Sequence, residues 1–252
     1  MQATASHPDS PSPPPCALVT DAGSGLGAAI ARSCHAAGWR VGLLDVAGQR
    51  AQALAEELDP GGGSTLVLQA DVGDFAAAER AVAQLAERFG GIGVLFNNAG
   101  TDVTAPLDEI EVGAWQRVLG TNLLGPFHLA KAALPWLRAA DAGRGGQIVN
   151  IASTAALRSW PNASAYHASK WGLLGLSRAL HAELRGAGIR VGTVVAGGMR
   201  TPFLLDRFPD LDPSRLQDPA QVAAAVQFML AMPRGSVVAE IMVLPEQESS
   251  WP

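Results

Sequence analysis

The chain has 252 residues, 48% of them hydrophobic, which suits one large α/β domain and marks no second core. The formal net charge is −5 and Lys and Arg form no cluster, so the basic stripe of a nucleic-acid binder is excluded. Two cysteines, Cys16 and Cys34, lack metal-ligand spacing, so neither a metal site nor a disulfide framework is expected, and both suit buried positions.

Residues 1–15, MQATASHPDSPSPPP, hold five prolines and neither an apolar run nor any Lys or Arg. That composition predicts a disordered tail and excludes a secretory signal. Residues 16–252 are then expected to form a single domain. No later segment is long and apolar enough to span a membrane, so no membrane partner and a cytoplasmic location are expected.

From Cys16 the pattern alternates. The strand-like run CALVT precedes the Ala-rich helix GLGAAIARSCHAAG, and RVGLLD precedes the helical GQRAQALAEELD, which stops at PGGG. STLVLQAD, FAAAERAVAQLAERFGG and IGVLFNNAG continue the alternation. A long helix through AWQRVLGTNLLGPFHLAKAALPWLRAA follows, then the strand GQIVNIAS and a helix from Ala165 to about Arg185. IRVGTVVA, PAQVAAAVQFMLA and SVVAEIMVL close the chain.

The strands are continuous apolar runs, as expected where helices cover both faces of a parallel sheet. Repeated β-α units with short connections predict a doubly wound parallel sheet of about seven strands in three α/β/α layers. Ligands of such sheets lie beyond the carboxyl ends of the strands.

After the first strand stands TDAGSGLG, Thr20 to Gly27. Gly23, Gly25 and Gly27, with Ser24 and Leu26 between them, let the backbone turn tightly and approach a pyrophosphate at a helix N-terminus. Asp45 ends the second strand, eighteen residues beyond Gly27. It can accept hydrogen bonds from an adenosine ribose or cap the next helix. No cation follows it before Arg50, which favours NAD over NADP as cofactor. Asp71 and Val72 end the third strand, placed to meet an adenine. Asn97 and Asn98 open NNAG, with Ala99 and Gly100 completing it. Asn122 sits in an otherwise apolar helix, where its amide needs a partner.

The only tyrosine, Tyr166, lies four residues before Lys170, one of two lysines. On a helix the pair shares one face. A cation there is expected to lower the phenol pKa and make Tyr166 a proton-exchanging group.

Together, TDAGSGLG, NNAG, Asn122, Ser153 and YHASK resemble the short-chain dehydrogenase/reductase family from Cys16 to about Leu244. The resemblance implies a Rossmann fold and hydride transfer between a nicotinamide and a secondary alcohol or ketone. It implies that Ser153, Tyr166, Lys170 and Asn122 are catalytic. Ser153 would orient the substrate oxygen, Lys170 would also hold the nicotinamide ribose, and Asn122 would position a water linking Lys170 to solvent. The Thr20–Gly27 loop, Asp45, Asp71, Val72, Asn98, Ala99, Gly100 and Thr201 would bind the cofactor. Residues 197–218 would form a lid, with Trp160, Phe203 and Leu204, and also Leu205 and Phe208, near the substrate. Alternatives are an NADPH-dependent 3-oxoacyl reductase and a non-catalytic dinucleotide-binding protein.

Two positions depart from the family pattern. Asp21 replaces the first loop glycine, and Ala196-Gly197 replaces Pro-Gly. Asp tolerates positive φ, so the turn is expected to survive, while its charge opposes the cofactor phosphates. The C-terminus lacks the Asp-Gly-Gly loop of many members. A homodimer through the Asn122 and Tyr166 helices is therefore expected ahead of a homotetramer.

Overall fold

The computed structural model describes residues 15–248, so the expected disordered tail lies almost wholly outside the described residues. Seven parallel strands form one sheet in the order β3-β2-β1-β4-β5-β6-β7. They are β1 (Cys16–Thr20), β2 (Arg40–Asp45), β3 (Thr65–Gln69), β4 (Val94–Asn97), β5 (Gln147–Ser153), β6 (Arg190–Ala196) and β7 (Glu240–Val243). Strand order reverses between β1 and β4, which opens a crevice at their carboxyl ends. This is the expected Rossmann arrangement.

The helices are α1 (Gly25–Ala36), α2 (Gly48–Leu58), α3 (Phe75–Phe89), α4 (Val112–Leu119), α5 (Gly125–Gly143), α6 (Ser164–Leu184), α7 (Pro202–Leu205) and α8 (Pro219–Leu230). Strand side chains alternate between two apolar layers. Ala17 and Val19 join the layer that includes Ile30, Leu54 and Val226 of α1, α2 and α8. Cys16 and Leu18 join the opposite layer with Leu85, Leu129 and Leu184 of α3, α5 and α6. Every β1 residue is buried, which is why the strand carries no polar alternation. Both cysteines are free and buried, and burial pushes both thiols up to about 12, far from the reactive range.

Within this apolar sheet runs one polar chain. Asn97 Nδ2 donates to Asn150 Oδ1 (2.8 Å), and Asn150 Nδ2 donates to Ser177 Oγ (2.8 Å). Ser177 donates in turn to the Leu173 carbonyl at 2.7 Å. Asn97 and Asn150 are direct neighbours in the β4–β5 register.

Three expectations shift. The long helix around Asn122 divides, because a π-turn over Gly120–Leu124 separates α4 from α5. β3 stops at Gln69, so Asp71 and Val72 follow the strand and do not end it. β7 covers only Glu240–Val243, less than the apolar run SVVAEIMVL, and is half exposed.

Candidate active site

A cavity of about 530 Å³ lies beyond the carboxyl ends of β1, β4, β5 and β6. Its wall runs from Asp21, Ser24, Gly25 and Leu26 past Asn98 and Gly100 to Ser153, Tyr166 and Lys170. The first-turn N–H groups of α1 have no side-chain cap, because Ser24 makes none. At position 27 a Cβ would stand 2.0 Å from the Asp21 carbonyl oxygen, so only glycine fits there. Gly25 has φ 49°, a left-handed conformation that also favours glycine. An uncapped helix N-terminus above a glycine cradle, continuous with the Tyr166 cavity, fits a pyrophosphate-bearing dinucleotide.

Asp21 adopts φ 49°, so the turn survives without its glycine. Burial, with the neighbouring Asp45 charge, pushes its carboxyl up to about 7 against the Ser24 hydroxyl and Arg50. A folded pKa above the ordinary 3.8 means more protons bound in the folded state between pH 4 and 7. Stability therefore falls as pH rises through that window and stays reduced above it. Asn tolerates the same backbone without the charge. Asp21→Asn should raise Tm by a few degrees (roughly 2–6 °C) at pH 8 and by less at pH 5. Equal gains at both pH values, or none, would refute this electrostatic account.

Asp45 is buried, with its oxygens 2.9 Å from the Gly23 N–H and 2.8 Å from the Ala47 N–H. It neither caps α2, whose N-cap is Ala47, nor stands in the cavity wall. It ties β2 to the glycine loop. Thr20 is also buried. Its hydroxyl donates to the Phe96 carbonyl and accepts the N–H groups of Asn98 (2.9 Å) and Ala99 (2.8 Å), joining the ends of β1 and β4. Asn98 Nδ2 returns a bond to the Thr20 carbonyl at 3.0 Å. Asp71 accepts the Gly73 N–H at 2.8 Å, and Val72 packs beneath Gly125. Thr20, Gly23, Gly27, Asp45, Asp71, Val72 and Ala99 thus shape the cavity without lining it, whereas Thr201 lines it beside Gly25.

Tyr166 and Lys170 share one face of α6, with Lys170 Nζ 5.7 Å from the Tyr166 ring centre. The phenol hydrogen-bonds Ser153, whose Oγ also accepts the Ala155 N–H at 3.2 Å. Lys170 Nζ donates to the Ile151 carbonyl at 2.9 Å. The electrostatics differ from expectation. Burial pushes the Tyr166 phenol up to about 12 and pulls Lys170 down to about 8. Desolvation penalises both charged forms; it outweighs Ser153 and Arg207, which favour the phenolate, and Asp102, which favours the ammonium. In this chain by itself the tyrosine is a neutral phenol.

Asn122 is fully buried in the π-turn. Its Oδ1 accepts the Thr101 N–H (2.8 Å), and its Nδ2 donates to the Thr101 carbonyl (2.8 Å) and to Ser169 Oγ (2.9 Å). Both amide hydrogens are used. A side chain at Gly100 would stand 3.7 Å from both Asn122 Oδ1 and Lys170 Nζ, so the two groups border the same backbone.

The outer cavity is lined by Trp160, Phe203, Leu204 and Phe208, while Leu205 is absent from its wall. A parallel bridge between Met199 and Gln217 closes the base of the 197–218 segment. Three features escaped sequence reasoning. His167 Nε2 accepts the Trp160 N–H (3.0 Å), which leaves Nδ1 to donate to the Ala155 carbonyl (3.0 Å). Asp102 and Arg207 form an ion pair of 2.7 Å within the wall. Burial raises the Asp102 pKa despite the pull of Arg207. Only the position of His167 within YHASK offered a signal.

A Rossmann sheet whose carboxyl-edge cavity runs from the glycine loop to Ser153, Tyr166 and Lys170 fits a dinucleotide-dependent oxidoreductase. Residues 15–212 match the family model for short chain dehydrogenase, and the chain belongs to that family. It is 40% identical over 178 residues to D-threitol dehydrogenase of Mycolicibacterium smegmatis, covering 71% of this chain and 67% of that protein. It is 36% identical over 193 residues to trans-4-hydroxycyclohexanecarboxylate dehydrogenase of Sinomonas cyclohexanicum, covering 74% and 73%. A 3-ketoacyl-(acyl-carrier-protein) reductase from Brucella melitensis, solved with NADH, superposes with a TM-score of 0.84 at 28% identity, covering 93% and 98%. The chain is an NAD(P)-dependent short-chain alcohol dehydrogenase/carbonyl reductase in class.

Proposed function

We propose that this chain is an NAD-dependent dehydrogenase that interconverts a secondary alcohol and its ketone through Ser153, Tyr166 and Lys170. The observation that carries this reading is one cavity joining the Ser153–Tyr166 hydrogen bond to the glycine loop. The nicotinamide, when bound, accepts or supplies the hydride. Ser153 and the Tyr166 phenol hold the substrate oxygen, and the neutral phenol donates the proton that a nascent alkoxide needs. In the oxidative direction the base is the Tyr166 phenolate, which takes the alcohol proton and returns to the neutral phenol. Lys170, fixed by the Ile151 carbonyl, supplies positive charge beside the phenol and a donor for the nicotinamide ribose. Asn122 has its amide engaged by Thr101 and Ser169, so we assign it a positioning role in place of the water contact the resemblance implies. It holds Thr101 and the Gly100 wall next to Lys170.

A non-catalytic dinucleotide binder would have no use for a buried lysine beside a buried phenol. The preference for NAD rests on Asp45 behind the glycine loop and on Asp21, which gains its charge above about pH 7, with Arg50 as the neighbouring cation. A 2′-phosphate there would lie against Asp21 and feel the charge of Asp45 behind the glycine loop. The dimer reading draws support from Phe127 on α5 and Trp171 on α6, large apolar side chains that are 43% and 53% exposed.

Initial rates with a panel of secondary alcohols and ketones, read at the reduced-nicotinamide band, test the assignment. NAD(H) should exceed NADP(H) in kcat/KM. Asp45→Ala should narrow that gap and raise KM for both cofactors, because Gly23 and Ala47 lose their acceptor. A wild-type preference for NADP(H) would overturn the cofactor assignment.

A further inference from the structure

Among the apolar side chains of the outer cavity stands one ion pair. Arg207 Nη1 lies 2.7 Å from Asp102 Oδ2, and Asp102 Oδ1 accepts the Val103 N–H at 2.7 Å. The Asp102 side chain is only 8% exposed and that of Arg207 25%. The guanidinium stacks on Phe203 at 4.2 Å from the ring centre, and Phe203 lies 6.0 Å from the Tyr166 ring. Phe203 thus separates the reacting phenol from the guanidinium. Arg207 Nε and Nη2 have no protein partner among the described residues, although Arg207 lines the cavity.

Two consequences follow from elementary electrostatics. Donors left dry when a substrate fills an apolar pocket cost binding, so a simple alcohol is penalised there. A carboxylate against Arg207 also meets the Asp102 charge in the same low-dielectric site, and the other acidic groups in the wall, Asp21 and Glu248, give no relief. An uncharged oxygen satisfies Nε and Nη2 without that repulsion. Resting on the dehydrogenase reading above, we propose that Arg207, held and neutralised by Asp102, is a specificity-determining residue. It selects substrates that carry a second, uncharged oxygen, such as a diol or hydroxyketone, over simple alcohols and hydroxy acids.

The test uses one carbon skeleton. Rates with NAD are measured for cyclohexanol, the 1,2-, 1,3- and 1,4-cyclohexanediols and trans-4-hydroxycyclohexanecarboxylate, in wild type, Arg207→Met, Asp102→Asn and the Asp102→Asn/Arg207→Met double variant. At least one diol should exceed cyclohexanol about ten- to a hundredfold in kcat/KM, mainly through KM. Arg207→Met should collapse that ratio. Should an unpaired Asp102 unfold this variant, the double variant removes the buried charge and must show the same collapse. Asp102→Asn leaves Arg207 cationic and should raise kcat/KM for the hydroxy acid, a change that a merely structural pair would not produce.

An unchanged diol-to-cyclohexanol ratio without Arg207, or a wild-type preference for the carboxylate, overturns the proposal and leaves the dehydrogenase reading intact. Inactivity on every ring substrate, with turnover of other secondary alcohols, does the same. Inactivity on all alcohols and ketones overturns both.

Discussion

Tyr166→Phe should lower kcat about 10²–10⁴-fold while the Kd for NAD, measured by calorimetry, stays within a factor of two or so. The variant loses one oxygen. Its ring keeps the packing against Ala155, Ala163 and Phe203, so neither fold nor cofactor cradle is disturbed. Only the hydrogen bond to Ser153 and the exchangeable proton disappear. Because burial holds the phenol up near 12, its role is most direct as a proton donor, and ketone reduction should suffer at least as much as alcohol oxidation. Retention of more than a tenth of wild-type kcat in a folded Phe variant would remove Tyr166 from the mechanism.

Lys170→Met should reduce kcat/KM by about 10²-fold or more and weaken NAD binding as well, since one ammonium serves both. Two observations separate this from simple destabilisation. The Ile151 carbonyl loses its 2.9 Å donor, a local effect that Tm registers. The ionisation near pH 8 belongs to Lys170 itself. Its folded pKa lies below the ordinary 10.5, so the unfolded chain binds more protons between those values, and wild-type stability rises with pH across that window. The pH profile of kcat/KM reports groups of the free enzyme, so wild type should show a break near 8 that Lys170→Met lacks. A break at the same pH in both proteins would assign it elsewhere.

The sheet was legible because its buried parallel strands are mostly apolar, with no polar alternation, and Gly and Pro punctuate the ends. The gathering of Ser153, Tyr166 and Lys170 in one cavity was legible because residues at spacings tied to strand ends and helix turns meet at one edge of such a sheet. What escaped was non-local. Asp102 and Arg207 are 105 residues apart, and no spacing connects them. The π-turn at Asn122 escaped because its composition matches an ordinary helix, and only the bonds to Thr101 reveal why the amide lies there. The sign of the Tyr166 shift escaped for another reason. Sequence shows that a cation is near, but not that both groups are dry, and dryness decides which effect wins.

The polar chain from Asn97 through Asn150 to Ser177 has a bearing on folding fidelity. Aliphatic strands covered on both faces offer little to distinguish one alignment from another, since a two-residue slip returns every side chain to the same face. Such a slip of β5 against β4 would strand both amides in a dry sheet, at about 1–3 kcal/mol for each group left unmade. The native alignment leaves Asn97 Oδ1 without a partner among the described residues, and a mispaired sheet adds the loss of both amide bonds to that. The two asparagines act as a proofreading lock for the pair of strands that carries Asn98 and Ser153 to the cavity wall. Replacing both with valine should leave the native sheet possible and its wrong alignments equally inviting.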